Sequence, residues 1–381
     1  MTPSDGAREV PWKVDHDVLE LMRRRRTEGT DVRSRTDSAK LGLAIEGGGM
    51  RGIVSCAMLA TLEDLGYQSV FDAIYGGSSG SVNAAYFLAG DLWRSLSIYY
   101  DDLATRRFID LRRLLRGRAV LDVDFAFDAV LELTKPLDYE AVLTSAVPLH
   151  VSITLVDEMR TIAPAEFESR ADLKSAFRAG AWLPVATVGS AMFRGQRALD
   201  GGALTSHPVR LALDDGCTHV LSLSTRPSTQ RRAGSDLLQH YASVHLDRIH
   251  PGLGAKFREA DRIGQRDRGA LDEWRSNPLK EPAVLDICPL RGAKIARHEI
   301  RQDRLHAAAR NAYETMSWAL TGVFERAYPR LTTSTAGAGP VLADRNTLKS
   351  PARGSAGSTC CGPCSATNTS TSPPRRTDAA T

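Results

Sequence analysis

The chain has 381 residues, 42% of them hydrophobic and 25% charged, with a formal net charge of +4. That balance is ordinary for a globular protein and excludes a collagen-like or highly charged disordered chain, and the length allows a core that needs no disulfides. No apolar run reaches the roughly 18–20 residues of a bilayer-spanning helix. The N-terminal segment lacks the apolar stretch of a secretory leader, so a cytoplasmic protein, peripheral where it meets a membrane, is expected.

The positive charge is clustered, at Arg23, Arg24, Arg25 and Arg26, at Arg112, Arg113, Arg116 and Arg118, and at Arg226, Arg231 and Arg232. Such clusters suit an anionic surface, but charge runs are more often solvated faces, and no nucleic-acid partner is expected. Residues 1–40 read as a polar arm with one helix over 14–26, whose stripe is Val18, Leu19, Leu21 and Met22. An apolar run at 41–45 then fits a strand buried on both faces.

The glycine-rich turn Gly47-Gly48-Gly49-Met50-Arg51-Gly52 follows at once, and 53–65 reads as an amphipathic helix closed by Gly66. Strand, glycine loop and helix have two uses. Gly47, Gly49 and Gly52 match the dinucleotide pattern G-x-G-x-x-G, but the acidic residue that should close a second strand about 20 positions on is missing. Asp72 leads into another turn instead. The second use, presenting backbone N–H groups to a developing oxyanion, agrees better with what comes next.

Residues 73–75 form a short apolar strand and 82–89 a helix, so Gly76-Gly77-Ser78-Ser79-Gly80 must turn sharply between them. The spacing Gly76-x-Ser78-x-Gly80 is that of a nucleophile elbow, where side chains at the flanking glycines would collide as the backbone doubles back. A Gly/Ser loop that merely holds a phosphate is the competing reading.

Residues 91–147 are mostly helical in pattern and carry no assignable chemistry; they suit a cap over a site or a packed insertion. A core strand over 150–156, a helix over 171–181 and a break at Pro184 follow. The stretch 196–199 reads as a strand delivering Asp200-Gly201-Gly202, which alone is only a turn, as Asp214-Asp215-Gly216 illustrates. Further buried strands are expected at 218–224 and 284–288. Helix covers the rest of 235–327, most clearly 304–324. Strands alternating with helices imply an α/β fold with a mostly parallel central sheet covered on both faces. Residues 41–215 are expected to form the catalytic core, 216–330 the remaining strands and helices of the same domain, and 331–381 a disordered tail. Cys56, Cys217 and Cys288 read as buried thiols. Cys360, Cys361 and Cys364 copy a redox spacing without the strand and helix that would activate it.

In series, Gly47–Gly52, then Gly76-Gly77-Ser78-Ser79-Gly80 running into Val82-Asn83-Ala84-Ala85, then Asp200-Gly201-Gly202 with His207-Pro208-Val209, resemble the patatin-like phospholipases. The resemblance covers about 41–215 and departs mildly at Gly77, where the family often carries a side chain. It implies that Gly47, Gly48, Gly49, Met50, Arg51 and Gly52 supply an oxyanion hole, Ser78 the nucleophile and Asp200 the base of a Ser-Asp dyad. Such a dyad needs neither metal nor cofactor. A serine hydroxyl needs a neighbouring base, and a carboxylate of ordinary pKa, about 3.9, must be raised by desolvation to serve near neutrality. His207 or His219 would complete a rival Ser-His-Asp triad, but one precedes a proline in a turn and the other lies in an apolar strand. The expected activity is hydrolysis of lipid esters through an acyl-serine. The alternatives are an esterase or thioesterase on soluble acyl substrates, and a non-catalytic phosphate- or nucleotide-binding regulator.

Overall fold

A computed structural model describes residues 12, 15–228, 236–277, 280–290, 294–324 and 328. The expected disordered tail, its three cysteines, and Arg231 and Arg232 lie outside the described residues.

Eight strands, β1 (Leu41–Ile45), β2 (Ala73–Gly77), β3 (Leu149–Leu155), β4 (Arg160–Ile162), β5 (Ala191–Phe193), β6 (Gln196–Asp200), β7 (His219–Leu223) and β8 (Ala283–Ile287), form one sheet. The order is β5-β6-β3-β2-β1-β7-β8, with β4 on β3. From β3 to β8 all neighbours are parallel, while β6, β5 and β4 make an antiparallel margin. The fold is thus α/β with a mixed, mostly parallel sheet. The three-residue strands β4 and β5 were not expected; neither is long enough to show a period in the sequence.

Every residue of β1 and β8 is buried, which requires cover on both faces. On one face, Ala44, Tyr75, Val220 and Val284 pack against Val209 and Ala212 of α7 (Val209–Asp214), which follows α6 (Arg170–Gly180) in the chain, and against Leu271 and Trp274 of α9 (Leu253–Ser276), which follows α8 (Asp236–Ile249). The helix after the glycine loop, α2 (Ile53–Asp64), corrects one expectation. It is buried without interruption from Ile53 to Leu62 rather than amphipathic, because α3 (Ser79–Leu88), α4 (Leu92–Ser97) and α10 (Gln302–Thr321) all pack on it.

The arm packs against the domain through α1 (Asp17–Glu28), with Val18, Leu19, Leu21 and Met22 buried as expected. Arg25, grouped by sequence with a surface cluster, is fully buried. It follows Val18, Leu21 and Met22 at helical spacing and therefore lies on the buried stripe. Its guanidinium bonds Asp37 (2.6 Å), Asp72 (2.8 Å) and the carbonyls of Val70 and Ala39, and such full pairing is what a charge in a core requires.

The region 91–147 is less regular than expected. Its α-helices are α4 and α5 (Tyr139–Leu143), whereas Ile98–Asp102 and Phe125–Thr134 wind as wide π turns and Leu111–Arg116 as a 3-10 turn. No described helix is long and apolar enough to cross a membrane. Cys56, Cys217 and Cys288 are buried free thiols.

Candidate active site

β1 and β2 run parallel with Ile45 level with Gly76, so the glycine loop and the serine turn leave the same end of the sheet side by side. Clefts at the carboxyl ends of parallel strands are the usual ligand sites of such sheets. Ser78 adopts φ +54° and ψ −132°, a left-handed backbone that a side-chain-bearing residue holds at a cost of about 1–3 kcal/mol. The turn is forced by close packing: a Cβ on Gly76 would strike the Ser81 backbone, and one on Gly80 the Ile45 carbonyl. α3 begins at the very next residue, Ser79, directing its free N–H groups and positive dipole end toward the turn.

Asp200 arrives from the antiparallel margin. Gly77 is level with Ser152 and Ile153 with Asp200, so Ser78 and Asp200 stand at the same height, two strand spacings apart, roughly 10 Å of backbone that the two side chains cross. Gly201 permits the approach, since a Cβ there would collide with Ser152. Asp200 is 1% exposed. Its Oδ1 accepts the Gly202 N–H at 2.7 Å, while Oδ2 has no hydrogen-bond partner among the described residues. Burial pushes the Asp200 carboxyl up, and the nearby Ser78 hydroxyl, the Gly202 N–H and the charge of Arg297 pull it partly back. The hydroxyl therefore faces the carboxylate without completing a well-formed hydrogen bond to it.

Ser78 stands where two cavities meet. One is mixed in character and holds Gly47, Gly48, Ser78, Asp200, Arg226 and Arg297. The other is lined almost wholly by apolar side chains, among them Ile98, Leu103, Phe108, Leu121, Val123, Phe127 and Leu131. The region 91–147, to which sequence assigned no chemistry, builds this second wall.

Residues 43–213 match the family model Patatin-like phospholipase. Over 192 residues the chain is also 25% identical to the uncharacterized protein YjjU of Escherichia coli (strain K12), covering 50% of this chain and 53% of that protein. The chain thus spans about half the length of this relative.

Within the patatin-like segment the glycine loop is already partly engaged. Gly48 donates its N–H to Ser79 Oγ (3.1 Å) and Met50 to the Arg297 carbonyl (3.0 Å). Gly49, first residue of the 3-10 turn Gly49–Gly52, carries an N–H that the turn itself does not use. Gly48 and Gly49 have φ of +147° and +59°, conformations suited to glycine. Gly52 instead packs beneath Ser79 and Tyr99, and Asn83 of α3 joins the Gly52 carbonyl (3.0 Å) to the Tyr99 hydroxyl (3.0 Å). A loop so occupied offers few free amides to a phosphate.

The Arg51 side chain turns away from Ser78, bonding Thr225 Oγ1 at 2.9 Å. Its neighbour Glu46 was missed by sequence reasoning. The Glu46 carboxylate is buried and binds Thr225 N (2.6 Å), Thr225 Oγ1 (2.7 Å) and Arg226 Nη2 (2.6 Å). Burial alone would raise its pKa, but the charges of Arg226 and Arg51 outweigh burial and hold it far below the usual carboxylate range. A charged residue ending an apolar strand was the available signal. Arg297 and Leu183, which line the cavity that holds Asp200, gave none.

Both histidines are committed elsewhere. His207 Nδ1 accepts the Val209 N–H (3.2 Å) and its Nε2 meets Ser224 Oγ (3.2 Å). His219 Nδ1 meets Thr218 Oγ1 (2.9 Å). Among the described residues no three His, Cys, Asp or Glu side chains converge as a metal site.

Proposed function

We propose that this protein is a serine lipid acyl hydrolase that cleaves carboxylic esters with Ser78 as nucleophile and Asp200 as its base. The patatin-like match supports lipid acyl hydrolysis as the reaction class. The observation that carries the residue assignment is the position of Ser78 between an apolar cavity and a second one that contains Asp200. The acyl chain occupies the apolar cavity and the ester carbonyl lies over the glycine loop. Ser78 Oγ attacks the carbonyl carbon while its proton passes to the unpartnered Oδ2 of Asp200. The tetrahedral oxyanion takes the Gly49 N–H, which the turn leaves unused, and one good donor of this kind contributes roughly 3–4 kcal/mol. Collapse expels the alcohol, which leaves with that proton. Water, deprotonated by Asp200, then frees the acid and restores the serine.

The test is covalent labelling by a fluorophosphonate together with assays on phospholipid, triglyceride and short-chain esters. Wild type is labelled and cleaves long-chain lipid esters, and Ser78→Ala does neither. Failure to label wild type overturns the hydrolase reading and leaves a phosphate- or nucleotide-binding regulator. Labelling with activity confined to soluble acyl esters or thioesters replaces the lipid substrate and retains the mechanism.

A further inference from the structure

Residues 108–122 form a closed loop on the wall of the apolar cavity. Its base is a bridge between Ile109 and Leu121, reinforced by Asp110 N–H to the Val120 carbonyl (3.0 Å) and Asp122 N–H to the Phe108 carbonyl (2.9 Å). Phe108 and Leu121 at that base line the cavity beside Ser78. The tip, Leu111–Arg116 with Gly117 and Arg118, points its apolar groups outward: Leu111 is 56%, Leu114 48% and Leu115 90% exposed. Three of the ten exposed large hydrophobics among the described residues thus fall within five positions. Such concentration is unlike the single scattered leucines of an ordinary surface.

The tip is also structured. Asp110 caps the Arg112 N–H (3.0 Å), Gly117 closes the turn at φ +63° with its N–H on the Leu114 carbonyl, and Arg118 N–H bonds the Arg113 carbonyl (3.0 Å). Arg112, Arg116 and Arg118 are exposed around the leucines, and Arg106 and Arg107 are exposed at the approach to the base. Asp110 is the one acid between 107 and 121, and its carboxylate is turned to the backbone.

We propose that this tip is an interfacial anchor that docks the protein on anionic lipid bilayers. Leucines embed at the level of the headgroups, arginines engage lipid phosphates and carboxylates around them, and the bridged base sets the wall of the acyl cavity against the membrane. The charge decides the partner, because exposed leucines ringed by arginine, with Asp110 the one acid in the segment, match an anionic surface better than a neutral one. The proposal rests on the lipid-hydrolase reading for its purpose, but its test does not.

The test is sedimentation of the full chain with phosphatidylcholine vesicles and with vesicles containing phosphatidylserine. Wild type pellets with the anionic vesicles, does so less as salt is added, and stays largely in solution with the neutral ones. The set Arg112→Gln, Arg116→Gln and Arg118→Gln lowers partitioning roughly a hundredfold, at about a factor of five per arginine. The set Leu111→Ser, Leu114→Ser and Leu115→Ser lowers it more than about tenfold. Neither set changes the rate on a soluble short-chain ester or the melting temperature, and Ser78→Ala pellets like wild type. Wild type left in solution with anionic vesicles, equal binding to both vesicle types, or tip variants that bind like wild type would each overturn the proposal. An enzyme inert on every ester removes the hydrolase reading while leaving the sedimentation result to stand or fall alone.

Discussion

The Glu46 carboxylate accepts the Thr225 N–H at 2.6 Å across 179 positions of chain, pinning the end of β1 to the residues that follow β7. Removing one partner of such a buried network leaves the others unpaired, so Glu46→Gln should cost about 3–5 kcal/mol. The sign of the pH effect follows from the depressed folded pKa. The stabilisation is present above the unfolded value, about 4.3, and is lost as pH falls below it. Urea unfolding across that range should show wild type losing stability on acidification more steeply than the variant.

Ser78 holds a left-handed backbone at φ +54°. Ser78→Gly should therefore be more stable than wild type by about 1 kcal/mol, whereas Ser78→Ala, which keeps its Cβ, should not. Both lose hydrolysis. Denaturation midpoints of the three proteins check this, and a Gly variant no more stable than the Ala variant would contradict it.

Burial raises the Asp200 carboxyl above its ordinary value. For a base that must be ionised, activity should rise with pH through this raised pKa, so the acidic limb of kcat/KM lies above the pH of about 3.9 set by a free aspartate. A raised carboxyl also means that the folded state loses stability as pH climbs through it. Asp200→Asn should accordingly be inactive yet at least as stable as wild type at neutral pH. A clearly destabilised Asn variant would show that the charge is instead well satisfied.

Ala126 lies on the apolar cavity and is buried. Ala126→Trp should shorten the acyl chain accepted, reducing kcat/KM by about fourfold for each methylene excluded, with butyrate esters little affected. An unchanged chain-length profile would place the acyl group elsewhere.

What sequence made legible was local. The glycine loop and the serine turn are backbone geometries that few residues tolerate, and each is written in five or six consecutive positions, so their strand–loop–helix setting could be read directly. The apolar cavity wall could not be read, because Ile98, Phe108, Val123 and Leu131 come from irregular turns with no sustained period. Nor could the partners of Glu46, which are near only in space. The arginine clusters show the same limit: Arg25 and Arg116 look alike in composition, yet one is fully buried between two aspartates and the other is in solvent.

The Met50 amide rests on the Arg297 carbonyl, and β7 and β8 complete the sheet beyond β1. A fragment trimmed to the family-matched stretch would thus keep every motif residue and still be crippled. Its first strand would become a raw margin, Glu46 would be stranded without a cation from downstream, and the cradle over the serine would lose its brace. Minimal versions for expression or transplantation should run through α10.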